Sequence, residues 1–245
     1  MIERQVGIDT AEGRVNTFIC HPERGGPHPL VIFYMDAPGI REELRDMVRR
    51  LASVGYYVML PNLYYRSGEE EMGPFIGPAH AATRDRYLAL MRSLTIPGVM
   101  ADTDALIDYA DGDPAASPGT AGTVGYCMSG QYALSAAARH PDWIRAAASV
   151  YGTWLLTERP DSPHRTVPPG TRVYVAYAEL DHLAPAETAA PLQQALAERG
   201  VPAEVEVYPA VDHAFAFPQR PVYDRAAAER HWERLFELFG ATLRA

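Results

Sequence analysis

A cysteine at position 127 lies in the sequence Gly-Tyr-Cys-Met-Ser-Gly, between a short apolar run and a helical pattern. A nucleophile placed between a strand and a helix stands on a sharp turn, with its side chain exposed above the sheet. The tight backbone needs small neighbours, which Gly125, Ser129 and Gly130 provide, although glycine is usual where Ser129 stands. The pattern predicts that Cys127 is a nucleophile. The alternative is a buried structural cysteine in an ordinary strand–turn–helix unit.

The helix predicted over Met128–Arg139 supports this interpretation, because Cys127 would stand at its N-terminus. The positive end of a helix dipole favours a thiolate, which is the reactive form of cysteine. The main-chain N–H of Met128 is then directed to the place where an oxyanion forms during acyl transfer. Met128 is therefore the first predicted oxyanion donor.

An acidic residue and a histidine follow Cys127 in the chain. This is the order required in a hydrolase whose nucleophile stands on a turn between a strand and a helix. Asp181 follows the predicted strand Arg172–Tyr177, and His213 follows the predicted strand Glu204–Tyr208. Open α/β sheets carry their sites at the carboxyl ends of their strands. We expect His213 to take the proton from the thiol or from water. Asp181 would fix the imidazole tautomer and stabilise its cation.

The neighbours of these two residues leave alternatives open. Glu179 or Asp212 is a second choice for the acid, and His182 is a second choice for the base. A single histidine in a sequence is most often a surface side chain. The joint arrangement of thiol, acid and base is what favours His213 and Asp181.

The loop after the predicted strand Leu30–Met35 reads Asp36-Ala37-Pro38-Gly39. This loop is the expected source of the second oxyanion donor, the N–H of Ala37, since Pro38 has no N–H. A carboxylate beside a thiol is unusual because it repels a thiolate, and the alternative role for Asp36 is to form a turn or cap a helix. The side chains predicted to line the pocket, with ordinary packing as the alternative, are Tyr65, Arg66, Tyr87, Trp154 and Phe217.

Composition excludes several other functions. The chain has 245 residues and a net charge of −9, and an acidic surface repels phosphate backbones, so no nucleic-acid partner is expected. All 22 basic residues are arginines, which excludes Schiff-base catalysis, and no cysteine–histidine spacing resembles a metal site. No segment approaches the roughly 20 apolar residues that span a bilayer, and the N-terminus lacks the apolar run of a signal peptide. We expect a cytoplasmic enzyme with a small-molecule substrate, no cofactor and no membrane partner.

The hydrophobic patterns predict one α/β domain over residues 1–245, with a mostly parallel central sheet flanked by helices on both faces. Loops are predicted over Asn62–Ala79, Gly112–Gly122 and Gly152–Gly170. The predicted strands are Val15–Ile19 as an edge strand, Leu30–Met35, Tyr56–Leu60, Thr123–Tyr126, Ala146–Tyr151, Arg172–Tyr177 and Glu204–Tyr208. The predicted helices are Glu42–Val54, Ala81–Leu94, Val99–Ala110, Met128–Arg139, Pro185–Arg199 and Ala226–Leu243.

The sequence resembles the dienelactone hydrolase family of α/β-hydrolases. The resemblance rests on GYCMSG around Cys127, YMDAPG around Asp36, AELDHLAP around Asp181 and YPAVDHAFAF around His213, and it runs from Leu30 to the C-terminal helix. It implies a triad of Cys127, His213 and Asp181. It also implies that Asp36, where family members often carry glutamate, restrains the resting thiol and accepts its proton when substrate binds. The activity implied is hydrolysis of esters or lactones without a cofactor.

The segment after the histidine departs from the family pattern. In dienelactone hydrolases proper, a serine and then an arginine stand where this chain has Ala214 and Phe217, and they help to bind a substrate carboxylate. Arginine suits a carboxylate because its fork donates two hydrogen bonds. We therefore expect a different substrate, a neutral and partly apolar ester, lactone or thioester. The alternatives are acyl transfer or cyclisation by the same chemistry, and a non-catalytic thiol sensor.

Overall fold

The computed structural model describes residues 1–72 and 80–244. Main-chain contacts divide the chain into two compact units, Met1–Pro118 and Gly119–Ala245, which are described in turn. The assignment of residues 1–245 to one domain stays a prediction. Across the described ranges, no helix combines the length and the apolar character that crossing a bilayer requires.

The strands described in the first unit are joined in the order β1-β2-β4-β3. The pairs β1/β2 and β2/β4 are antiparallel, whereas β3 and β4 are parallel. Strands β3 and β4 confirm the buried strands predicted at Leu30–Met35 and Tyr56–Leu60. The bounds are β1 (Ile2–Thr10), β2 (Gly13–His21), β3 (His28–Tyr34) and β4 (Tyr57–Pro61).

The prediction of an edge strand at Val15–Ile19 is wrong in its placement. That segment lies in β2, which has β1 on one side and β4 on the other. The edge strand is β1, which the sequence did not predict. Most β1 side chains are partly or fully exposed, and Arg4 interrupts the alternation of its apolar residues that would reveal a half-buried strand.

The helices of the first unit lie close to their predicted positions. They are α1 (Glu42–Ser53), α2 (His80–Ser93) and α3 (Ile96–Asp111). Gly55 follows α1 with φ of 100°, as expected of a glycine that ends a helix. The hydroxyl of Thr95 caps α3 by accepting a hydrogen bond from the N–H of Gly98 at 3.2 Å. The predicted loop Asn62–Ala79 contains a 3₁₀ turn at Tyr65–Ser67, and its residues 73–79 lie outside the described ranges.

The second unit has a parallel arrangement in the order β5-β6-β7-β8. The bounds are β5 (Ala116–Tyr126), which begins just before the division, β6 (Ile144–Val150), β7 (Arg172–Ala178) and β8 (Ala203–Tyr208). The helices are α4 (Gly130–Arg139), the short α5 (Pro163–Thr166), α6 (Ala189–Glu198) and α7 (Arg225–Leu243). Helix α4 packs on β6, α6 on β8, and α7 on β6 and β7. The predicted α/β class with mostly parallel pairing is confirmed.

Several boundaries in the second unit differ from the predictions. Helix α6 begins at Ala189 rather than Pro185, because Ala186–Thr188 form a separate 3₁₀ turn, and the predicted loop Gly152–Gly170 contains the short helix α5. Strand β5 begins at Ala116 rather than Thr123, because its first residues are extended although their serine, proline and glycine content is typical of turns. Helix α4 begins at Gly130 rather than Met128, because Cys127–Ser129 form a separate 3₁₀ turn. The tight turn between β5 and α4 is thus longer than the pattern predicted.

Gly130 provides a test of how tightly this turn is packed. A Cβ atom on Gly130 would lie 2.6 Å from the Cα of Gly152 and would also overlap the hydroxyl of Ser149, so Gly130→Ala should lower the free energy of unfolding by about 1–3 kcal/mol. Gly240 in α7 is the matched control, since a Cβ there meets nothing within 4 Å. Gly240→Ala should be neutral or stabilise by up to about 1 kcal/mol through helix propensity. Urea unfolding of both variants checks this, and equal effects would contradict it.

Candidate active site

Cys127 stands on the strained turn that the sequence predicts. Its φ is 55°, a left-handed conformation that is uncommon for any residue with a side chain, and its side chain is partly exposed. Gly125 is required beside it, because a Cβ there would overlap the main chain of Ser129. Such strain persists only where the surrounding structure enforces it, and it concentrates at functional sites.

Two hydrogen bonds hold the turn in place. The N–H of Thr153, which follows β6, donates to the carbonyl of Cys127 at 3.0 Å. The side-chain amide of Gln131 donates to the carbonyl of Met128 at 3.1 Å, and its oxygen accepts from Arg159 at 2.9 Å. Sequence reasoning missed these three residues, since no sequence motif marks the groups that hold this turn.

Asp181 and His213 lie together at the carboxyl ends of β7 and β8. His213 Nδ1 is 2.7 Å from Asp181 Oδ2, and the Asp181 side chain is fully buried. The other carboxylate oxygen, Oδ1, accepts from the N–H groups of Leu183 at 2.7 Å and Ala184 at 3.0 Å. The carboxylate is therefore fixed from both sides, and it fixes the orientation of the imidazole ring.

The imidazole of His213 interacts electrostatically with Cys127. Burial by itself would lower the pKa of His213, but the charge of the Cys127 sulfur and the hydrogen bond to Asp181 outweigh it and raise this pKa to about 10. The other ring nitrogen, Nε2, is buried, and Cys127 acts on the ring both through its charge and as a hydrogen-bond partner. The arrangement suits a thiolate beside an imidazolium.

The alternative acids and base have other surroundings. Glu179 accepts a hydrogen bond from the N–H of Ala210 at 2.6 Å, and Asp212 accepts one from the N–H of His213 at 2.6 Å. Neither hydrogen bond reaches the imidazole ring. His182 has an exposed side chain, although it adjoins Asp181 in sequence.

Aromatic side chains pack behind the imidazole. The ring of Tyr151 is 5.0 Å from that of His213, and Phe217 packs against both Tyr126 and Tyr151. Phe217 is fully buried. Although the sequence places Phe217 among the pocket-lining residues, the structure gives its side chain no exposed surface for a substrate. Its contacts support Tyr151, which in turn supports the imidazole of His213.

Asp36 lies in the first unit, directly after β3, and is buried against an arginine. Arg41 donates to Asp36 Oδ1 at 2.5 Å and to Oδ2 at 3.1 Å, and it also donates to Glu43. Burial by itself would lower the pKa of Arg41, but Asp36 and Glu43 outweigh it and raise this pKa. The sequence analysis missed Arg41, although a buried carboxylate needs a counterion within reach. Ala37 is buried, and its carbonyl accepts from the hydroxyl of Tyr64 at 2.8 Å.

The remaining predicted lining residues differ in exposure. The hydroxyl of Tyr65 is 2.8 Å from Oδ1 of Asp102, and Arg66 binds both carboxylate oxygens of Asp102 at 2.8 Å, so their polar groups are engaged within the first unit. Tyr87 lies half-buried on α2. Trp154, in the second unit, is 45% exposed, and its φ is 59°. Of the five residues, Trp154 has the most accessible aromatic surface that the structure describes near the Cys127 turn.

Fold and site define an α/β-hydrolase. A crystal structure from Klebsiella pneumoniae subsp. pneumoniae MGH 78578, provisionally described as a dienelactone hydrolase, superposes with a TM-score of 0.81 and 25% sequence identity over 98% of each chain. A protein of Escherichia coli O157:H7, provisionally named carboxymethylenebutenolidase, is 33% identical over 222 residues, which are 87% of this chain and 77% of that protein. The carboxymethylenebutenolidase of Pseudomonas putida is 26% identical over 96% of this chain and 94% of its own length.

Residues 15–243 match the model of the dienelactone hydrolase family. The chain therefore belongs to this family, as its motifs predicted, and it is a hydrolase of ester or lactone bonds. A dienelactone hydrolase-like promiscuous phosphotriesterase from metagenomic libraries shares the fold, with a TM-score of 0.76 at 20% identity over 99% of each chain.

The raised pKa of His213 predicts how its proton depends on Cys127. In Cys127→Ala, the pKa of His213 should fall below its value of about 10, because the attraction of the sulfur is removed. An NMR titration of the imidazole, assigned with His213→Asn, measures this. Cys20→Ala is the matched control, since Cys20 is buried in β2 of the first unit. A His213 titration curve that is the same with and without Cys127 would contradict the coupling.

The same pKa makes folding stability depend on pH. The folded value of about 10 lies above the ordinary 6.5, so protonation of His213 stabilises the fold. This stabilisation should be complete below about pH 6.5 and should be lost as the pH rises towards 10. Urea unfolding from pH 6 to 10 should show this loss in the wild type and a smaller one in His213→Asn.

Proposed function

We propose that the protein hydrolyses its substrate through a triad of Cys127, His213 and Asp181. The observation that carries the proposal is the Asp181–His213 hydrogen bond of 2.7 Å beside a cysteine on a strained turn. All three side chains belong to the second unit, and each follows a strand of its parallel sheet. A thiol sensor would not need an imidazole oriented by a buried carboxylate, so this arrangement favours catalysis.

The first half-reaction forms an acyl-cysteine. The thiolate of Cys127 attacks the carbonyl carbon, and the carbonyl electron pair moves to oxygen. The N–H of Met128 stabilises this oxyanion, while the same role for Ala37 rests on the sequence pattern alone. The intermediate collapses by breaking the bond to the leaving-group oxygen, which takes the proton from Nε2 of His213.

The second half-reaction restores the enzyme. His213 removes a proton from water, whose oxygen attacks the thioester carbon. The carbon–sulfur bond then breaks and releases the carboxylic acid, leaving thiolate and imidazolium. Asp181 stabilises the imidazolium in both halves. The proposed role of Asp36 as a restraint on the thiol rests on the family resemblance, and Arg41 holds its carboxylate in an ion pair.

We propose that the substrate is a neutral, partly apolar ester, lactone or thioester. Ala214 and Phe217 offer no charged donor where relatives bind a carboxylate, and Arg66 is already paired with Asp102 and Glu12. The exposed surface of Trp154 suits an apolar group near Cys127. A net charge of −9 also disfavours anionic substrates, though weakly at physiological salt.

Replacing the thiol tests the nucleophile. Cys127→Ala should abolish ester hydrolysis and leave the unfolding transition unchanged, because it removes a single partly exposed atom. Cys127→Ser should also be strongly impaired, since a site suited to a thiolate does not activate a hydroxyl equally. Cys20→Ala is the control: burial raises the pKa of Cys20 to about 11, and its loss should leave turnover intact. Wild-type turnover by Cys127→Ala would show that the nucleophile is another residue.

Paired substrates test the proposed substrate class. The ratio kcat/KM should be higher for a neutral aryl ester and a neutral lactone than for a dienelactone carboxylate. The reason is that a carboxylate without a paired donor is costly to bury. Steady-state kinetics with all three compounds measures the preference. A preference for the carboxylate of about tenfold or more, equivalent to about 1.4 kcal/mol in transition-state binding, would mean that an arginine elsewhere in the chain binds it.

A further inference from the structure

The main-chain N–H of Met128, the proposed oxyanion donor, belongs to the peptide that joins Cys127 to Met128. The carbonyl of this peptide accepts hydrogen bonds from the N–H of Thr153 at 3.0 Å and from the N–H of Gly130. In a trans peptide, the carbonyl and the N–H point in opposite directions. The N–H of Met128 is therefore directed away from the side on which Thr153 and Gly130 donate.

The next carbonyl along the chain, that of Met128 itself, is held by a side chain. Gln131, in the first turn of α4, is only 3% exposed, and its amide nitrogen donates to this carbonyl at 3.1 Å. The peptides on both sides of Met128 are thus anchored. Because a residue has only two soft backbone dihedrals, these two anchors fix the direction of its N–H.

Arg159 determines which end of the Gln131 amide faces the turn. Its guanidinium donates to the side-chain oxygen of Gln131 at 2.9 Å. An amide side chain can present either its oxygen, which accepts, or its NH₂ group, which donates, whereas a guanidinium only donates. With the amide oxygen directed at Arg159, the NH₂ group is left to face the carbonyl of Met128.

Thr153 and Arg159 belong to one segment between β6 and α5, and hydrogen bonds within the segment fix its shape. The hydroxyl of Ser162, which is fully buried, accepts from the N–H of Thr157 at 3.0 Å. The N–H of Ser162 donates to the carbonyl of Arg159 at 3.1 Å. This one segment therefore secures both carbonyls of the nucleophile turn, the first directly and the second through Gln131.

We propose that Gln131, oriented by Arg159, is a positioning residue that directs the N–H of Met128 at the oxyanion formed during attack by Cys127. The proposal rests on the function proposed above and adds to it the group that sets the oxyanion donor. Gln131 acts through the main chain of the turn. Its loss should slow the steps in which a carbonyl oxygen becomes charged and should spare a reaction of the same thiol in which none does.

Gln131→Met tests the proposal, because methionine has a similar length and cannot donate a hydrogen bond. Acylation of Cys127 by an aryl ester in a single turnover should slow about 10-fold, less than the loss of about 100-fold or more that follows removal of an oxyanion donor. Alkylation by iodoacetamide at the same pH should keep its wild-type rate, because displacement at a saturated carbon forms no oxyanion. Intact-mass analysis follows both reactions, in a Cys20→Ala background that leaves Cys127 as the single thiol.

Arg159 offers variants that leave the interior untouched, since its side chain is 49% exposed. Arg159→Ala should slow acylation by less than Gln131→Met does, again without a change in alkylation. Arg159→Lys, which keeps a cationic donor, should restore most of the acylation rate. Arg165→Ala is the matched control, because Arg165 lies in the following helix α5, is 44% exposed and pairs with Glu158. This variant should leave both rates unchanged.

The two rates together decide the proposal. Equal slowing of acylation and alkylation in Gln131→Met would mean that Gln131 shapes the thiol or the fold as a whole, and it would overturn the proposal. Acylation at the wild-type rate would overturn it as well. Should Gln131→Met fold poorly, the Arg159 variants are judged by the same two rates. Failure of the proposed triad is recognised separately, because Cys127→Ala would then retain turnover.

Discussion

The left-handed conformation of Cys127 is the constraint around which the second unit is arranged. The chain leaves β5 and must enter α4 within a few residues, and a non-glycine residue held at φ of 55° costs about 1–3 kcal/mol. Gly125 and Gly130 make this turn sterically feasible, because a Cβ atom at either position would overlap neighbouring atoms. The hydrogen bond from the N–H of Thr153 to the carbonyl of Cys127 holds the turn in place. The conformation of this turn keeps the sulfur of Cys127 partly exposed at the carboxyl end of the parallel strands.

Buried charge in both units is compensated over short distances. Asp181 is surrounded by two main-chain N–H groups and the imidazole of His213, and Asp36 is held by the guanidinium of Arg41. An isolated ion in a protein interior is costly, whereas a paired and hydrogen-bonded one is tolerated. In the first unit, the carboxylate of Asp36 is neutralised by the side chain of Arg41, which keeps its proton. In the second unit, the partner of Asp181 is the imidazole of His213, which can give up its proton and therefore suits acid–base chemistry.

The sequence predicted the features that local patterns encode. Strand β7 was recognisable as an apolar run and β8 by its alternation of glutamate and valine, and the candidate acid and base residues were found because they follow these two strands. Strand β1 was not predicted, since it is held by pairing with β2 rather than by its own apolar pattern. Arg41 and Thr153 were missed for a related reason. Their partners are fixed by the folded backbone, and neither residue belongs to a recognisable motif.

The parallel pairing of β5 to β8 also bears on how the protein folds. Each strand joins its neighbour only after an intervening stretch of chain has been ordered, and such non-local pairing slows folding. Cys127 and His213 follow the first and last of these strands. Their interaction therefore forms only when the whole parallel array is assembled. Thiol reactivity during refolding would accordingly report the completion of the sheet rather than an early local event.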